Sequence, residues 1–266
     1  MLKAITALLL FIGTQLVCSA LALLWLNADR ISAGQPLDYG LLLQQPAASG
    51  VALFWGSLLL IGLLTATRLA RRSSLQSLCQ LPRRSELKAL AALLCFAVGE
   101  SLILAPFDLA DHGTTLFFDG MKHNLWCLLL LCLAGPVSEE MVFRESILRH
   151  LARRSQKPIA AAAVSAVLFA AVHGNPAQSV PAAVVGFLLG LLYVRTGNVR
   201  LSSWAHVLNN SLAVALFFFP STDRLIREWP AAATVGAGTA LCLLSLLLLW
   251  QWWRQEGISH IDLTTP

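Results

Sequence analysis

Eight long apolar stretches run through this chain, and they constrain its fold more than any other feature. They fall at about residues 4–26, 50–67, 88–106, 124–147, 158–173, 182–195, 200–219 and 232–253. A helix needs about 20 mostly apolar residues to cross a bilayer, so each stretch is a candidate span, although the fifth and sixth are short. Only 12% of the residues are charged, against about 25% in soluble domains, which argues against an ordinary soluble enzyme or a nucleic-acid-binding protein. We predict an all-α membrane protein, a single integral domain over residues 1–266 with about eight transmembrane helices around a cavity.

The distribution of basic residues predicts the orientation of these spans. If the N-terminus is cytoplasmic, then 15 of the 19 Lys and Arg residues lie on the cytoplasmic side, and only Arg30, Lys122, Arg224 and Arg227 lie outside. Cytoplasmic loops of membrane proteins carry such an excess of positive charge. We therefore expect both termini to be cytoplasmic, with the first span retained as an anchor, in the inner (plasma) membrane of a bacterium.

Ionisable side chains inside spans are costly, so each one suggests a functional site. The fourth span carries Glu139, Glu140 and Arg144. Glu140 and Arg144 are four residues apart on one helix face, in the favourable order for an ion pair. Glu139 points elsewhere, and we expect it to face the interior of the bundle, where a carboxylate suits the role of general base.

Two further clusters follow on the next apolar stretches. Phe169 and His173 lie on the fifth, and a hairpin around the turn at 149–157 would place His173 opposite Glu139. His206 and Asn210 share a face of the seventh, at a similar depth. A carboxylate and an imidazole can activate a water between them, and an imidazole and a carboxamide can stabilise an oxyanion. Glu139, His173 and His206 are also possible zinc ligands, but the chain has no HExxH motif.

These three motifs together resemble a known family. EExxxR (Glu139, Glu140, Arg144), FxxxH (Phe169, His173) and HxxxN (His206, Asn210) are similar, in this order, to the motifs of the CPBP family. These are the CAAX-processing and bacteriocin-processing intramembrane proteases, also called the Abi or Rce1-type family. The resemblance covers a catalytic core at about 125–220.

The resemblance implies an endopeptidase of eight transmembrane helices, in which Glu139 activates water with the help of His173. It implies that His206 and Asn210 form the oxyanion site, that Glu140 and Arg144 support the site, and that Phe169 lines the cavity. We expect no cofactor, with zinc on Glu139, His173 and His206 as the alternative.

Several questions stay open at this point. The expected partners are a protein or peptide substrate and membrane lipid, with no nucleic acid, and the oligomeric state is undetermined. The substrate is a CAAX-type protein, a leader or bacteriocin peptide, or a C-terminally sorted surface protein. A transporter or proton relay, and a non-catalytic immunity or scaffold protein, are the alternative functions. Glu100, in the third span, is a further candidate without an assigned role.

Overall fold

The structure, a computed structural model, describes residues 1–216, 218–219, 221, 226 and 228–255. Arg224 and Arg227, two of the cations predicted to lie outside, are not among these residues. The described part of the chain is helical and contains no β-strand. Its principal helices are α1 (Leu2–Leu26), α2 (Pro46–Ala66), α3 (Arg84–Leu104), α4 (Leu125–Ser155), α5 (Pro158–Ala171), α6 (Pro176–Thr196), α7 (Val199–Leu216) and α8 (Ala231–Trp253).

Each predicted span has a helix in its place, and the all-α membrane fold is confirmed. Within the described residues, six of these helices are long and apolar enough to cross a membrane: α1, α2, α3, α4, α6 and α8. Helix α5 has 14 residues, and α7 has 18 with several polar side chains. The chain is therefore an integral multi-pass membrane protein, while the count of eight crossings and the position of the termini stay predictions.

Local signals explain where the helices around the site begin and end. Proline occupies the first position of α2, α5 and α6, where a missing N–H group costs nothing. Helix α6 begins at Pro176, six residues before the predicted span, because the side chain of Asn175 caps it and accepts a hydrogen bond from the Gln178 N–H at 3.0 Å. The predicted hairpin of α4 and α5 is confirmed, and its turn contains Gln156 in the left-handed conformation, with φ 56°.

Polarity is distributed as expected for a protein in lipid. Leu9, Leu59 and Leu243, on the outer helices α1, α2 and α8, are all more than half exposed, whereas Glu140 and Arg144 are completely buried. Lipid solvates exposed apolar side chains, and buried charges in a bilayer face the interior of the bundle. The functional polar groups are therefore inside.

Helix α4 lies at the centre of the bundle. All eight residues from Met141 to Leu148 are buried. The apolar residues among them share one core with Phe11 of α1, Leu64 of α2 and Tyr193 of α6. The side chains of this segment of α4 therefore face other helices rather than lipid.

The winding of α4 changes along its length. The segments Leu130–Ala134 and Met141–Leu148 are π-helical, and Gly135–Glu140 between them is α-helical. In the first π segment the Gly135 N–H donates to the Leu130 carbonyl, and a Cβ atom on Gly135 would lie 2.8 Å from that oxygen. Pro136 follows and has no N–H group for the Leu131 carbonyl. The two carboxylates at 139 and 140 thus lie between two widened turns, a feature common at functional sites.

Candidate active site

The two adjacent glutamates of α4 have different surroundings. Glu140 is completely buried, and its Oε2 lies 3.4 Å from Nε of Arg144, one turn further along the helix. Glu139 keeps 23% of its side chain exposed. The predicted pairing of Glu140 with Arg144 is therefore present. Glu139 is the carboxylate of the two that a water or a substrate can reach.

His206 of α7 connects both glutamates. Its Nδ1 lies 3.0 Å from Oε1 of Glu140, and its Nε2 lies 3.5 Å from Oε2 of Glu139. Because an ionised carboxylate only accepts hydrogen bonds, the contact with Glu140 places a hydrogen on Nδ1. Nε2 then faces Glu139 as an acceptor in the neutral ring and as a donor in the imidazolium.

Arg144 is held by three different groups. Besides Glu140, its Nη2 donates to the carbonyl of Gly186 on α6 at 3.1 Å, and its Cζ lies 4.8 Å above the ring of Phe169. A Cβ atom at Gly186 would come within 2.8 Å of Cδ1 of Phe169, so only glycine lets α6 approach this closely. Gly190, one turn further along α6, makes a second close helix contact, with Ala162 of α5.

The ring of Phe169 contacts both histidines. Its centroid lies 4.8 Å from that of His173 and 5.6 Å from that of His206, both in edge-on geometry. His173 lies beyond the last residue of α5, and its Nδ1 binds the Phe169 carbonyl at 2.8 Å. Among the described residues His173 forms no ion pair with Glu139 within 4.0 Å; the imidazole beside Glu139 belongs to His206. The predicted placement of His173 opposite Glu139, with a water between them, stays a prediction; the chain leaves the α5 helix at Ala171, two residues before His173.

Asn210 lies one turn beyond His206 and fills the gap that Pro136 leaves in α4. Its Nδ2 donates to the Leu131 carbonyl at 3.3 Å, and its Oδ1 accepts from Asn209 at 3.3 Å. One hydrogen of the amide is therefore used to join α7 to α4. Among the described residues the second hydrogen has no acceptor, so it can bind a reacting group.

The alternative zinc set does not converge in this structure. Zinc sites of enzymes use three protein ligands around one point. Only Glu139 and His206 approach each other, and His173 is turned to its own backbone. Over the described residues, no group of three or more His, Cys, Asp or Glu side chains is placed to hold a metal ion.

The sequence analysis missed a second buried carboxylate, Glu145. It accepts from Nε of Arg71 at 2.7 Å, from the Tyr193 hydroxyl at 2.8 Å, and lies 3.3 Å from Nε of Arg149. Burial by itself lowers the pKa of Arg71, but the hydrogen bond to Glu145 and the nearby anionic groups outweigh it and raise the pKa above its ordinary value. Only the position of Glu145 within an apolar helix, four residues before Arg149, could have indicated it.

Within the described part of the chain, Glu100 forms no hydrogen bond or ion pair with the residues of this site. It is buried on α3, and among the described residues it forms no ion pair within 4.0 Å. Glu100→Gln is therefore a suitable control for the removal of a carboxylate charge from the site.

Comparison with known proteins agrees with the motif resemblance. Residues 121–212 match the model of a family described as type II CAAX prenyl endopeptidase Rce1-like. A protein of Bacillus subtilis (strain 168) named "Putative membrane peptidase YdiL" is 27% identical over 118 residues, which cover 44% of this chain and 48% of that protein. The chain thus spans about half the length of this relative. No solved structure matches the chain. The predicted resemblance to the CPBP, Rce1-type proteases is confirmed over a segment that contains all three motifs.

Proposed function

From this resemblance we propose that the chain is an intramembrane endopeptidase in which Glu139 activates the attacking water. The observation that carries the proposal is the contrast between the two glutamates. The carboxylate of Glu140 is already paired with Arg144 and His206. Glu139 is accessible, and its Oε2 lies 3.5 Å from Nε2 of His206. An accessible carboxylate beside an oriented imidazole is the arrangement that general acid–base hydrolysis requires.

The proposed reaction needs no covalent intermediate. Glu139 takes a proton from water while the water oxygen attacks the scissile carbonyl carbon. The carbonyl oxygen becomes an oxyanion and accepts hydrogen bonds from the His206 imidazolium and from the second amide N–H of Asn210. Glu139 then passes its proton to the leaving nitrogen, and the C–N bond breaks to give a carboxylic acid and an amine.

The remaining motif residues position these groups. Glu140 orients the ring of His206 through Nδ1, as carboxylates do in many catalytic histidine pairs. Arg144 balances the charge of Glu140 and packs on Phe169. His173 borders the same space through Phe169, and we propose that it contacts the substrate or its water.

The proposed mechanism is of the glutamic type rather than the metallo type. Of the three possible zinc ligands, only Glu139 and His206 approach each other. Nε2 of His206, which faces Glu139, could serve either mechanism. A bound zinc ion would polarise the carbonyl and acidify water there. Sensitivity to a chelator therefore distinguishes the two routes.

We propose a membrane-associated or C-terminally sorted protein as the substrate, processed at the inner membrane of a bacterium. The site lies inside the helix bundle, so the scissile segment enters from lipid or from the cytoplasm. CAAX-type proteins, leader peptides, bacteriocins and surface proteins are the candidate classes.

The test compares membrane proteins from strains that carry wild type, Glu139→Gln and, as a matched control, Glu100→Gln. N-terminal and C-terminal peptides are mapped in each strain, with and without a metal chelator. We expect a set of processed termini in wild type and in the Glu100 variant that disappears in the Glu139 variant at equal expression. Loss of these termini with the chelator in wild type would indicate the metallo route instead.

Identical termini in all three strains would contradict the proposal. The same variants in liposomes then separate the alternatives, because a transporter gives substrate-dependent proton flux that Glu139→Gln abolishes. A scaffold or immunity protein keeps its cellular phenotype in the Glu139 variant.

A further inference from the structure

A basic cavity lies between one end of α1, one end of α2 and the last turns of α4. Its volume is about 680 Å³, within the range of about 300–1,000 Å³ that is usual for small-molecule sites. Its lining includes six cationic side chains, namely Lys3, Arg68, Arg71, Arg72, Arg149 and Arg153, and no acidic one. It begins about three turns beyond Glu139 on α4 and shares no residue with the candidate active site.

The positive charge of this cavity is largely unbalanced. Arg71 and Arg149 share one carboxylate, that of Glu145, at 2.7 and 3.3 Å. In the part of the chain that the structure describes, the other four cations form no ion pair within 4.0 Å. Like charges gathered in one concave site raise its affinity for an anion.

A buried and unpartnered donor supports this interpretation independently. The Nε atom of Arg153 is inaccessible to solvent and has no hydrogen-bond partner among the described residues. A buried polar group without a partner is unusual and calls for an acceptor. Arg153 also lines the cavity, so a turn of its side chain would present this donor to an anion bound there.

The position of the cavity indicates where the anion comes from. Lys3 lies in the first turn of α1, Arg68 and Arg72 follow the end of α2, and Arg153 is in the last turn of α4. By the predicted orientation these are the cytoplasmic helix ends, at the level of the lipid headgroups. Basic pockets between transmembrane helices on this side bind anionic lipid headgroups, and the arginine fork matches a phosphate.

We propose that this cavity binds the phosphate-bearing headgroup of an anionic phospholipid from the cytoplasmic leaflet. Leu2 and Ile5, on either side of Lys3, are at least half exposed, which gives an acyl chain an apolar surface beside the headgroup. Arg71 and Arg149 form the fixed base of the site through Glu145, and Arg68 and Arg153 supply the free charges. The inference does not rest on the proposed peptidase activity.

The test measures lipid binding to the purified full-length chain in detergent by native mass spectrometry. Phosphatidylglycerol is titrated against phosphatidylcholine with the same acyl chains, and inorganic phosphate is added in a separate arm. The variant Arg68→Gln/Arg153→Gln removes two cavity charges that do not hold Glu145. The matched control Arg84→Gln/Lys88→Gln removes two exposed charges on the same side of the protein, outside the cavity.

Wild type and the control are expected to bind phosphatidylglycerol in preference to phosphatidylcholine, and the cavity variant is expected to lose about tenfold or more in affinity. Equal binding of the two lipids by wild type, or equal loss in both double variants, would overturn the proposal. Binding of inorganic phosphate with no preference for phosphatidylglycerol would identify a free anion as the ligand and would also overturn it. A cavity variant that melts at the wild-type temperature but loses the lipid supports the site directly.

Discussion

At the scale of single residues, Glu140 and Glu139 show how neighbouring identical side chains take different roles. Helical geometry turns adjacent residues by about 100°, so the two carboxylates face different surroundings. Glu140 meets Arg144 and His206 and is completely buried, while Glu139 meets the edge of His206 and stays accessible. The first carboxylate is therefore a structural counterion, and the second is available for chemistry.

This division predicts opposite consequences for two similar substitutions. Glu140→Gln leaves the buried guanidinium of Arg144 without its counterion, which we expect to lower the free energy of unfolding by about 3 kcal/mol or more. Glu139→Gln should change it by less than about 1 kcal/mol, because that side chain is partly solvated. Unfolding of both variants in detergent measures the difference.

A double variant serves as the control for this comparison. Glu140→Gln/Arg144→Gln removes both charges, so it should be more stable than the single Glu140 variant if the unpaired cation is the cause. Equal stability of the Glu139 and Glu140 variants would show that Glu140 is not the counterion of Arg144.

The residue contacts also show what a sequence can reveal. The pairing of Glu140 with Arg144 follows from helix periodicity alone, and it was predictable. The contact of Glu140 with His206 joins residues 66 positions apart, and Arg71 lies 74 positions before Glu145. Such contacts depend on how helices pack, which no local pattern determines. For the same reason, the sequence did not indicate that the imidazole beside Glu139 belongs to His206.

At the scale of elements, the changing winding of α4 determines where its carboxylates point. A π-helical turn contains an extra residue, so it rotates everything that follows on the helix. Apolar periodicity predicted that a helix exists here, but the widened turns left no mark in that pattern. The pair Gly135–Pro136 was the sequence signal for the widened turn. Gly135 tolerates the close Leu130 carbonyl, and Pro136 lacks an N–H group for the helix ladder.

Gly135→Ala should therefore shift the carboxylates of the site although residue 135 contacts none of them. The new Cβ would lie 2.8 Å from the Leu130 oxygen, so the π turn must open or tighten and shift Glu139 and Glu140. We expect the cleavage rate to fall about 10- to 100-fold, since small displacements of catalytic groups have effects of this size. The rate is measured on the substrate identified by terminus mapping.

Gly62→Ala on α2 is the matched control, because the Cβ it adds meets no described atom within 4 Å beyond the neighbouring residues and backbone of its own helix. An unchanged rate in the Gly135 variant would mean that the π turn does not position the carboxylates.

At the scale of the whole molecule, the prediction concerns orientation. The positive-inside rule places both termini in the cytoplasm, on the side of the basic cavity. A green fluorescent protein fused to the C-terminus should fluoresce, and alkaline phosphatase at the same point should be inactive. The same two reporters inserted between Asp108 and Asp111, in the connection from α3 to α4, should give the reverse pattern.

The same reporter pattern at the C-terminus and between Asp108 and Asp111 would contradict the predicted topology, in which an even number of crossings leaves both ends in the cytoplasm. If both positions were cytoplasmic, the basic cavity would lie on the outer side, away from the cytoplasmic leaflet. The order and type of the helices were predictable from hydropathy, whereas α5 and α7 are too short or too polar for hydropathy alone to show that they cross.

The spacing of charges on α4 has a consequence for how this protein enters a membrane during synthesis. Each buried glutamate at 140 and 145 is followed four residues later by an arginine of the same helix. The helix thus carries its own counterions, which lowers the cost of leaving water before α6 and α7 have been made. Arg71, the remaining cation on Glu145, precedes α4 in the chain and is already in place when α4 emerges. Synthesis from the N-terminus therefore presents every buried carboxylate of α4 with a neutralising partner on arrival, and the histidine that completes the site arrives later.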